Sequence, residues 1–152
     1  MHDIKKLAPK KNGCYKQGYI NPESCKKLFP SQRNTPIIYR SSYERRFIEY
    51  LESNKSVELW GSECTPIEYV NAYDNSKHTY YPDYIALING VYHLFEVKPY
   101  SQCVAPSVAL PKDSYAWKTY ITNVSKWRAA QTLCESKGMK FQIITEKTIS
   151  RL

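Results

Sequence analysis

A helix is predicted over residues 42–53, because apolar side chains recur there at the spacing of one helical face. The residues of this stripe are Tyr43, Phe47, Tyr50 and Leu51. At the start of the helix, Ser41 and Glu44 fit a capping box, with Ser41 as the N-cap and Glu44 at position N3. Capping is a complete structural explanation for Glu44, so the pattern alone gives this carboxylate no catalytic role.

Strand patterns follow the helix. Residues 57–60 and 66–73 are rich in strand-forming residues, and two further runs, 80–88 and 91–98, flank the dipeptide Asn89-Gly90. Asn-Gly between such runs predicts a hairpin with a two-residue type I′ turn. We therefore expect a three-stranded antiparallel meander in this part of the chain.

The last third of the chain predicts a loop, a long helix and one more strand. Residues 99–114 contain three prolines and show no clear period, so we expect a flap or an open loop there. Residues 115–137 have helical periodicity, and Gly138 suits the position that ends a helix. A strand is predicted over residues 140–146. The expected fold class is α/β, in the order helix, three-stranded meander, helix, strand.

The predicted hairpin also brings chemistry together. If Ile88 pairs with Val91, the register places Asp83 directly opposite Glu96. Side chains alternate faces along a strand, so Lys98 lies on the same face as both carboxylates. Like charges so close destabilise a sheet unless a positive charge lies between them. A hard cation such as Mg²⁺, bound by these carboxylates and the Val97 carbonyl, would meet that need.

A structural explanation of the same residues stays open. Opposed Asp83 and Glu96 are compatible with a solvent-exposed sheet face, and Lys98 is able to neutralise Glu96 without a metal ion. Against this, Ile85, Leu87 and Leu94 make the rest of that face apolar. Charges at the end of an apolar surface are costly without a function.

The net charge of +8 is unevenly distributed. Residues 1–40 hold nine Lys and Arg against Asp3 and Glu23, a balance of +7, whereas residues 41–152 hold 13 basic against 12 acidic residues, a balance of +1. We expect a basic arm, residues 1–36, before a domain of residues 37–152. A polyanionic partner favours such an arm, although a solvated tail explains it equally well. The candidate phosphate contacts are Lys5, Lys6, Lys10, Lys11, Lys16 and, on the second helix, Lys126.

Composition excludes several other classes of protein. The length of 152 residues suits one domain, and no segment approaches the roughly 18 apolar residues of a membrane span. The N-terminal residues lack the apolar core of a signal peptide, so we expect a cytosolic protein without membrane contact. The five cysteines show neither disulfide-framework nor zinc-site spacing and are expected to be reduced thiols.

Pro82-Asp83 followed by Glu96-Val97-Lys98 resembles the motif of the PD-(D/E)xK nuclease superfamily. Several segments more closely resemble the head completion nucleases of contractile-tailed phages, a family that is itself similar to the endonuclease subunit of cut-and-paste transposases. These segments are Tyr15–Gly18, Tyr39–Glu44, Glu96–Tyr100, Asn123–Trp127 and Phe141–Glu146. Tyr43 is a departure, because Trp is expected there in the phage proteins.

The resemblance implies a restriction-endonuclease-like core and a role for each residue of the motif. Asp83 and Glu96 would bind Mg²⁺, with Mn²⁺ as an alternative, and Glu44 would complete the acidic cluster. Lys98 would position or polarise the attacking water. The implied partners are double-stranded DNA and phage portal or neck proteins, at the head–tail junction of the virion and in the host cytoplasm during assembly.

Two hypotheses from different classes follow. The first is a metal-dependent DNA endonuclease that processes packaged DNA ends before the head joins the tail. The second is a non-catalytic head–tail junction protein that binds DNA or the portal through a nuclease-like fold. The intact set of Asp83, Glu96 and Lys98 favours the enzyme, because a purely structural protein has no need of all three. A host restriction or repair nuclease does not account for the phage-like segments.

Overall fold

The structure is a computed structural model that describes residues 17–151. Within these residues the chain forms eight strands: β1 (Gly18–Ile20), β2 (Ile37–Tyr39), β3 (Val57–Ser62), β4 (Ile67–Asn71), β5 (Ser76–Tyr80), β6 (Tyr84–Ile88), β7 (Val91–Val97) and β8 (Lys140–Ile144). The α-helices of the same part are α1 (Ser42–Ser53), α2 (Tyr115–Lys137) and α3 (Glu146–Ile149). Short 3₁₀ helices lie at Pro22–Ser24, Pro30–Gln32 and Tyr100–Gln102.

The main sheet has four strands in the order β3-β6-β7-β8. The first three are antiparallel to their neighbours, whereas β8 is parallel to β7. A parallel neighbour requires a long crossover connection, which the loop after β7 and helix α2 provide. The chain is therefore a mixed α/β fold of the predicted class, with three antiparallel strands, a long helix and a parallel last strand.

The hairpin predicted at Asn89-Gly90 is confirmed. Ile88 pairs with Val91, and the same register continues to Tyr84 opposite Phe95. Asn89 and Gly90 have φ angles of 49° and 81°, as a type I′ turn requires. The strand β6 begins at Tyr84, so Asp83 lies one residue before the paired segment.

The strands β4 and β5 leave the main sheet, a detail that the expected meander did not contain. They pair with each other through Ile67 opposite Tyr80 and Asn71 opposite Ser76, in a two-stranded sheet of their own. Along β4 buried and exposed residues alternate, and the buried face packs against α2. The strands β4 and β5 pair with each other across a local turn, and β6 pairs with β3 instead.

Two hydrophobic clusters lie on opposite sides of the main sheet. On one side α1 contributes Phe47, Ile48 and Leu51, which pack with Tyr84 and Phe95. On the other side α2 packs with the sheet and with β4 and β5, through Leu94, Trp127, Ala130, Cys134, Tyr69 and Tyr80. The N-cap predicted at Ser41 is confirmed as well, since Ser41 Oγ accepts a hydrogen bond from the Glu44 N–H. The Glu44 carboxylate accepts the N–H of Arg40, one residue before the N-cap position of a capping box.

The part of the predicted arm that the structure describes packs on the domain. Strand β1 pairs with β2, and Leu28 is completely buried in the cluster beside α1. The Phe29 N–H donates to the Trp60 carbonyl at 2.9 Å, which ties this segment to β3. Residues 1–16, with Lys5, Lys6, Lys10, Lys11 and Lys16, lie outside the described residues. No helix of residues 17–151 is long and apolar enough to cross a membrane.

Candidate active site

The candidate site lies at one edge of the main sheet. The C-terminal ends of β3, β7 and β8 and the N-terminal end of β6 meet there, because β6 is antiparallel to β3 and β7 and β8 is parallel to β7. These strand ends carry Glu63, Asp83, Glu96 and Lys98. The edge therefore collects acidic and basic side chains from distant parts of the chain.

Asp83 is held in place by hydrogen bonds at both its side chain and its backbone. Its Oδ2 atom accepts the Val97 N–H at 2.8 Å, and its carbonyl accepts the Glu63 N–H at 2.9 Å. The Asp83 carboxyl interacts with the neighbouring Glu96 carboxyl. Burial, and then the negative charges of Glu96 and Glu44, raise the pKa of Asp83 well above its ordinary value. The structure thus brings together the two carboxylates that the hairpin register aligned.

Glu96 has a buried partner that the sequence did not indicate. Its side chain is only 5% exposed, and its Oε2 atom accepts a hydrogen bond from the Tyr80 hydroxyl. Burial and the neighbouring Glu96 charge raise the pKa of Tyr80, so this hydroxyl remains a donor. The sequence pattern placed Tyr80 in the same strand as Asp83. The separate β4-β5 hairpin instead turns it onto Glu96.

Two lysines lie near the carboxylate pair: Lys98, which directly follows β7, and Lys126 on α2. The Lys98 backbone N–H donates to the Ile144 carbonyl at 2.9 Å. Burial lowers the pKa of Lys126; the charge of Lys98 acts in the same direction, whereas Glu96 and Asp83 oppose it. Within residues 17–151, neither lysine forms a salt bridge with either carboxylate. A direct ion pair with Lys98, the structural alternative raised by the sequence, is therefore not formed.

Glu44 lies at the start of α1 and is only 8% exposed. Its Oε2 atom accepts the Arg40 N–H at 3.0 Å and the Ser41 hydroxyl at 3.3 Å. Burial raises the pKa of Glu44 from 4.5 to about 7, although the Arg40 N–H and charge oppose the shift. Its charge acts on Asp83, so the helix cap and the site are electrostatically connected.

Two further residues next to the site had no signal in the sequence. Glu63 has a φ angle of 49°, in the left-handed region that non-glycine residues seldom adopt, and its carboxylate forms an ion pair with Arg40. The Tyr84 hydroxyl is buried and has no hydrogen-bond partner among the described residues. Burial, then the charges of Glu44, Asp83 and Glu63, raise the pKa of Tyr84. Glu63 reaches Asp83 through the pairing of β3 with β6, whereas Tyr84 directly follows Asp83 in the chain.

The carboxylate oxygens of the site suit a hard cation, although only two candidate ligand side chains in the described part of the chain, Asp83 and Glu96, lie together. Within residues 17–151, no group of three or more His, Cys, Asp or Glu side chains is arranged to hold a metal ion. Mg²⁺ commonly binds through one or two carboxylates and keeps several waters. The adjacent Asp83 and Glu96 carboxylates fit that description. Coordination by Glu44 and by the Val97 carbonyl stays a prediction.

Comparison with known proteins defines the class. Residues 54–146 match the family described as TnsA-like endonuclease N terminal. The chain belongs to this endonuclease family, and the restriction-endonuclease-like fold class predicted from the motif is confirmed. The matched range includes Asp83, Glu96 and Lys98, whereas Glu44 lies before it.

The chain is also similar to a particular phage protein, over most of the length of both. The chain is 33% identical to the head completion nuclease of Enterobacteria phage T4 over 124 residues, which are 76% of this chain and 83% of the relative. The predicted resemblance to head completion nucleases is therefore confirmed.

Proposed function

We propose that this protein is a Mg²⁺-dependent DNA endonuclease that acts in phage head completion, by processing packaged DNA ends before the head joins the tail. The observation that carries the proposal is the buried pair of Asp83 and Glu96 carboxylates at the sheet edge. The proposal is also supported by the membership of the chain in an endonuclease family and by its similarity to a head completion nuclease.

The carboxylate pair is costly unless a cation binds there. Two adjacent carboxylates repel each other, and burial strengthens that repulsion because the surroundings screen it poorly. In the protein alone, the cost appears as the raised pKa of Asp83. The hydrogen bonds from the Val97 N–H and the Tyr80 hydroxyl nevertheless hold both carboxylates in place. An arrangement that keeps unfavourable charges fixed is typical of a site prepared for a ligand.

Each side chain of the site has a role in phosphodiester hydrolysis. Asp83 and Glu96 would hold Mg²⁺, which lowers the pKa of a bound water and stabilises charge on the phosphate oxygens. Lys98 supplies a positive charge for the attacking water or the phosphate, and Lys126 offers a second cation from α2. Tyr80 orients Glu96, and the Val97 N–H orients Asp83. Glu44 adds negative charge next to the pair.

The test is cleavage of supercoiled and linear DNA by the purified protein in Mg²⁺, in Mn²⁺ and in EDTA. We expect nicking or cutting with either cation and none in EDTA. The matched control is Asp83→Asn, which keeps the size of the side chain and removes its charge. Equal cleavage by the wild type and by Asp83→Asn would overturn the proposed site. A wild type that binds DNA in all conditions without cutting it would instead support the non-catalytic junction protein.

The place of action is a further part of the proposal. The printed name of the phage T4 relative describes head completion. For this protein we therefore propose assembly in the host cytoplasm and a final position at the head–tail junction, with portal or neck proteins as neighbours. Co-sedimentation of the tagged protein with tailless heads, compared with empty buffer gradients, tests this location. Absence from the head fractions would contradict it.

A further inference from the structure

Positive charge within the folded domain is concentrated beside the candidate site. Residues 98–128, here called the lysine surface, carry five basic residues against Asp113, a balance of +4: Lys98, Lys112, Lys118, Lys126 and Arg128. Because residues 41–152 have a balance of +1, the rest of that region has a balance of −3. The domain therefore has a strongly basic segment of its own, apart from the N-terminal arm.

Helix α2 carries this charge away from the site along its first half. The helix has 23 residues, about 35 Å at 1.5 Å per residue, whereas the five residues of β8 span about 17 Å. Its second half covers the sheet, through Trp127, Ala130 and Cys134. Its first half contacts the end of β4 instead, where Asn71 Nδ2 donates to Thr122 Oγ1 at 2.9 Å.

Two lysines of this surface are held in place by aromatic rings. Lys112 Nζ lies 3.5 Å from the centre of the Trp117 ring, and Lys118 Nζ lies 5.4 Å from the centre of the Tyr73 ring. The Trp117 indole N–H donates to the Ser107 carbonyl at 3.2 Å, which fixes the loop on the helix. Within residues 17–151, neither lysine has a carboxylate at salt-bridge distance. Both charges are exposed and available to an anion.

The position of the lysine surface next to the candidate site indicates which anion it binds. Lys126 Nζ lies 5.6 Å from the Tyr80 ring, and Tyr80 donates to Glu96. Lys118 lies eight residues earlier on the helix, about 12 Å away along its axis. Duplex DNA advances 3.4 Å per phosphate along each strand, so a strand bound at the site would pass Lys118 within about four nucleotides. An extended polyanion matches this spacing of charges.

The same segment has unusual exposed apolar side chains. Val108 is 90% exposed and Tyr115 is 84% exposed, the two highest values among the large hydrophobic residues that the structure describes as exposed. Both flank Lys112, in the loop and at the first residue of α2. Apolar groups next to fixed cations are suited to the sugars and groove edges of DNA, which lie beside the phosphates.

We propose that the lysine surface is a second DNA-binding element, which grips the backbone of duplex DNA next to the cleaved phosphate through Lys112 and Lys118. This role of the lysine surface rests on the proposed nuclease function, which identifies the bound polyanion as DNA. The lysines of this surface lie on α2 and on the loop before it, and α2 also carries Lys126 beside the site. The arm supplies affinity, whereas this surface sets the path of the DNA over Asp83 and Glu96.

The test is binding of a 20-base-pair duplex by the full chain in EDTA, measured by fluorescence anisotropy over a series of salt concentrations. The variant Lys112→Gln/Lys118→Gln removes both charges and keeps an uncharged polar side chain at each position. The slope of log Kobs against log[salt] should become less negative by about 2, since each phosphate contact contributes about 0.9. At 0.1 M salt the affinity should fall roughly 60-fold relative to the wild type, if the two affinities are equal at about 1 M salt.

The matched control is Lys137→Gln, because Lys137 is exposed at the opposite end of the same helix. We expect its slope to equal that of the wild type. An unchanged slope in the double variant, or an equal change in the control, would overturn the proposed surface. Since the assay needs no cleavage, the double variant tests the surface even if the wild type proves inactive. That inactivity would overturn the nuclease proposal alone.

Discussion

Glu44→Gln separates a structural role of Glu44 from a functional one. The substitution keeps the size of the side chain and an oxygen acceptor for the Arg40 N–H, and it removes the negative charge. In the metal-free protein this charge is unfavourable, because burial raises the pKa of Glu44 from 4.5 to about 7. The folded protein therefore binds more protons than the unfolded chain between these pH values, and its stability falls as the pH rises through that window.

The magnitude follows from the size of the shift. A difference of about 2.5 pKa units corresponds to about 3 kcal/mol at pH 8, and to almost nothing below pH 4.5. Glutamine has no charge to bury, so Glu44→Gln should be more stable than the wild type by up to about 3 kcal/mol at pH 8 in EDTA. For a domain of this size that is about 6–12 °C in melting temperature. The advantage should disappear at pH 4.5.

Thermal melts at pH 4.5 and pH 8, together with cleavage in Mg²⁺, test this reasoning. If Glu44 belongs to the acidic cluster, cleavage should fall at least 100-fold while stability rises, with Asp83→Asn and Glu96→Gln as inactive benchmarks. The matched control is Glu49→Gln on the exposed face of α1, which loses only an exposed ion pair with Arg45 and should leave cleavage unchanged and stability within about 0.5 kcal/mol. A Glu44→Gln protein that gains no stability at pH 8 would refute the electrostatic argument. If Glu44→Gln cleaves DNA as fast as the wild type, Glu44 has only its structural role at the start of α1.

Further substitutions test individual contacts. Tyr80→Phe removes the hydroxyl that donates to Glu96. We expect cleavage to fall about tenfold or more, since hydrogen bonds to charged groups contribute about 1.5–3 kcal/mol. Unchanged turnover would contradict a role of Tyr80 in orienting Glu96. Deletion of residues 1–14 removes four lysines and should weaken DNA binding and flatten its salt dependence; identical titrations would exclude the arm as a contact. Gly90→Ala places a side chain at a left-handed backbone position, where the added Cβ has no atom within 4 Å. The cost is therefore backbone strain alone, and urea melts should show a free energy of unfolding lower by about 1–2 kcal/mol. An unchanged free energy of unfolding would contradict the turn geometry.

The sequence by itself determined the features that depend on local rules. Asn89-Gly90 specifies the turn, the turn specifies the register, and the register aligns Asp83 with Glu96 because strand residues alternate faces. The α1 cap at Ser41 and the α2 end at Gly138 follow from equally local hydrogen bonding and backbone conformation. Such interactions involve residues a few positions apart, so a single sequence is sufficient to predict them.

Only the tertiary structure decided what surrounds the carboxylate pair. Strands β3, β4 and β6 have similar patterns, and the choice of partner depends on which pairing buries the most apolar surface over the whole chain. That choice separated the β4-β5 hairpin from the main sheet and turned Tyr80 onto Glu96. It also placed Glu63 against Asp83 and Lys126 near the site. Contacts between residues so far apart in sequence have no local signal, because each side chain is equally compatible with an exposed surface until the packing is known.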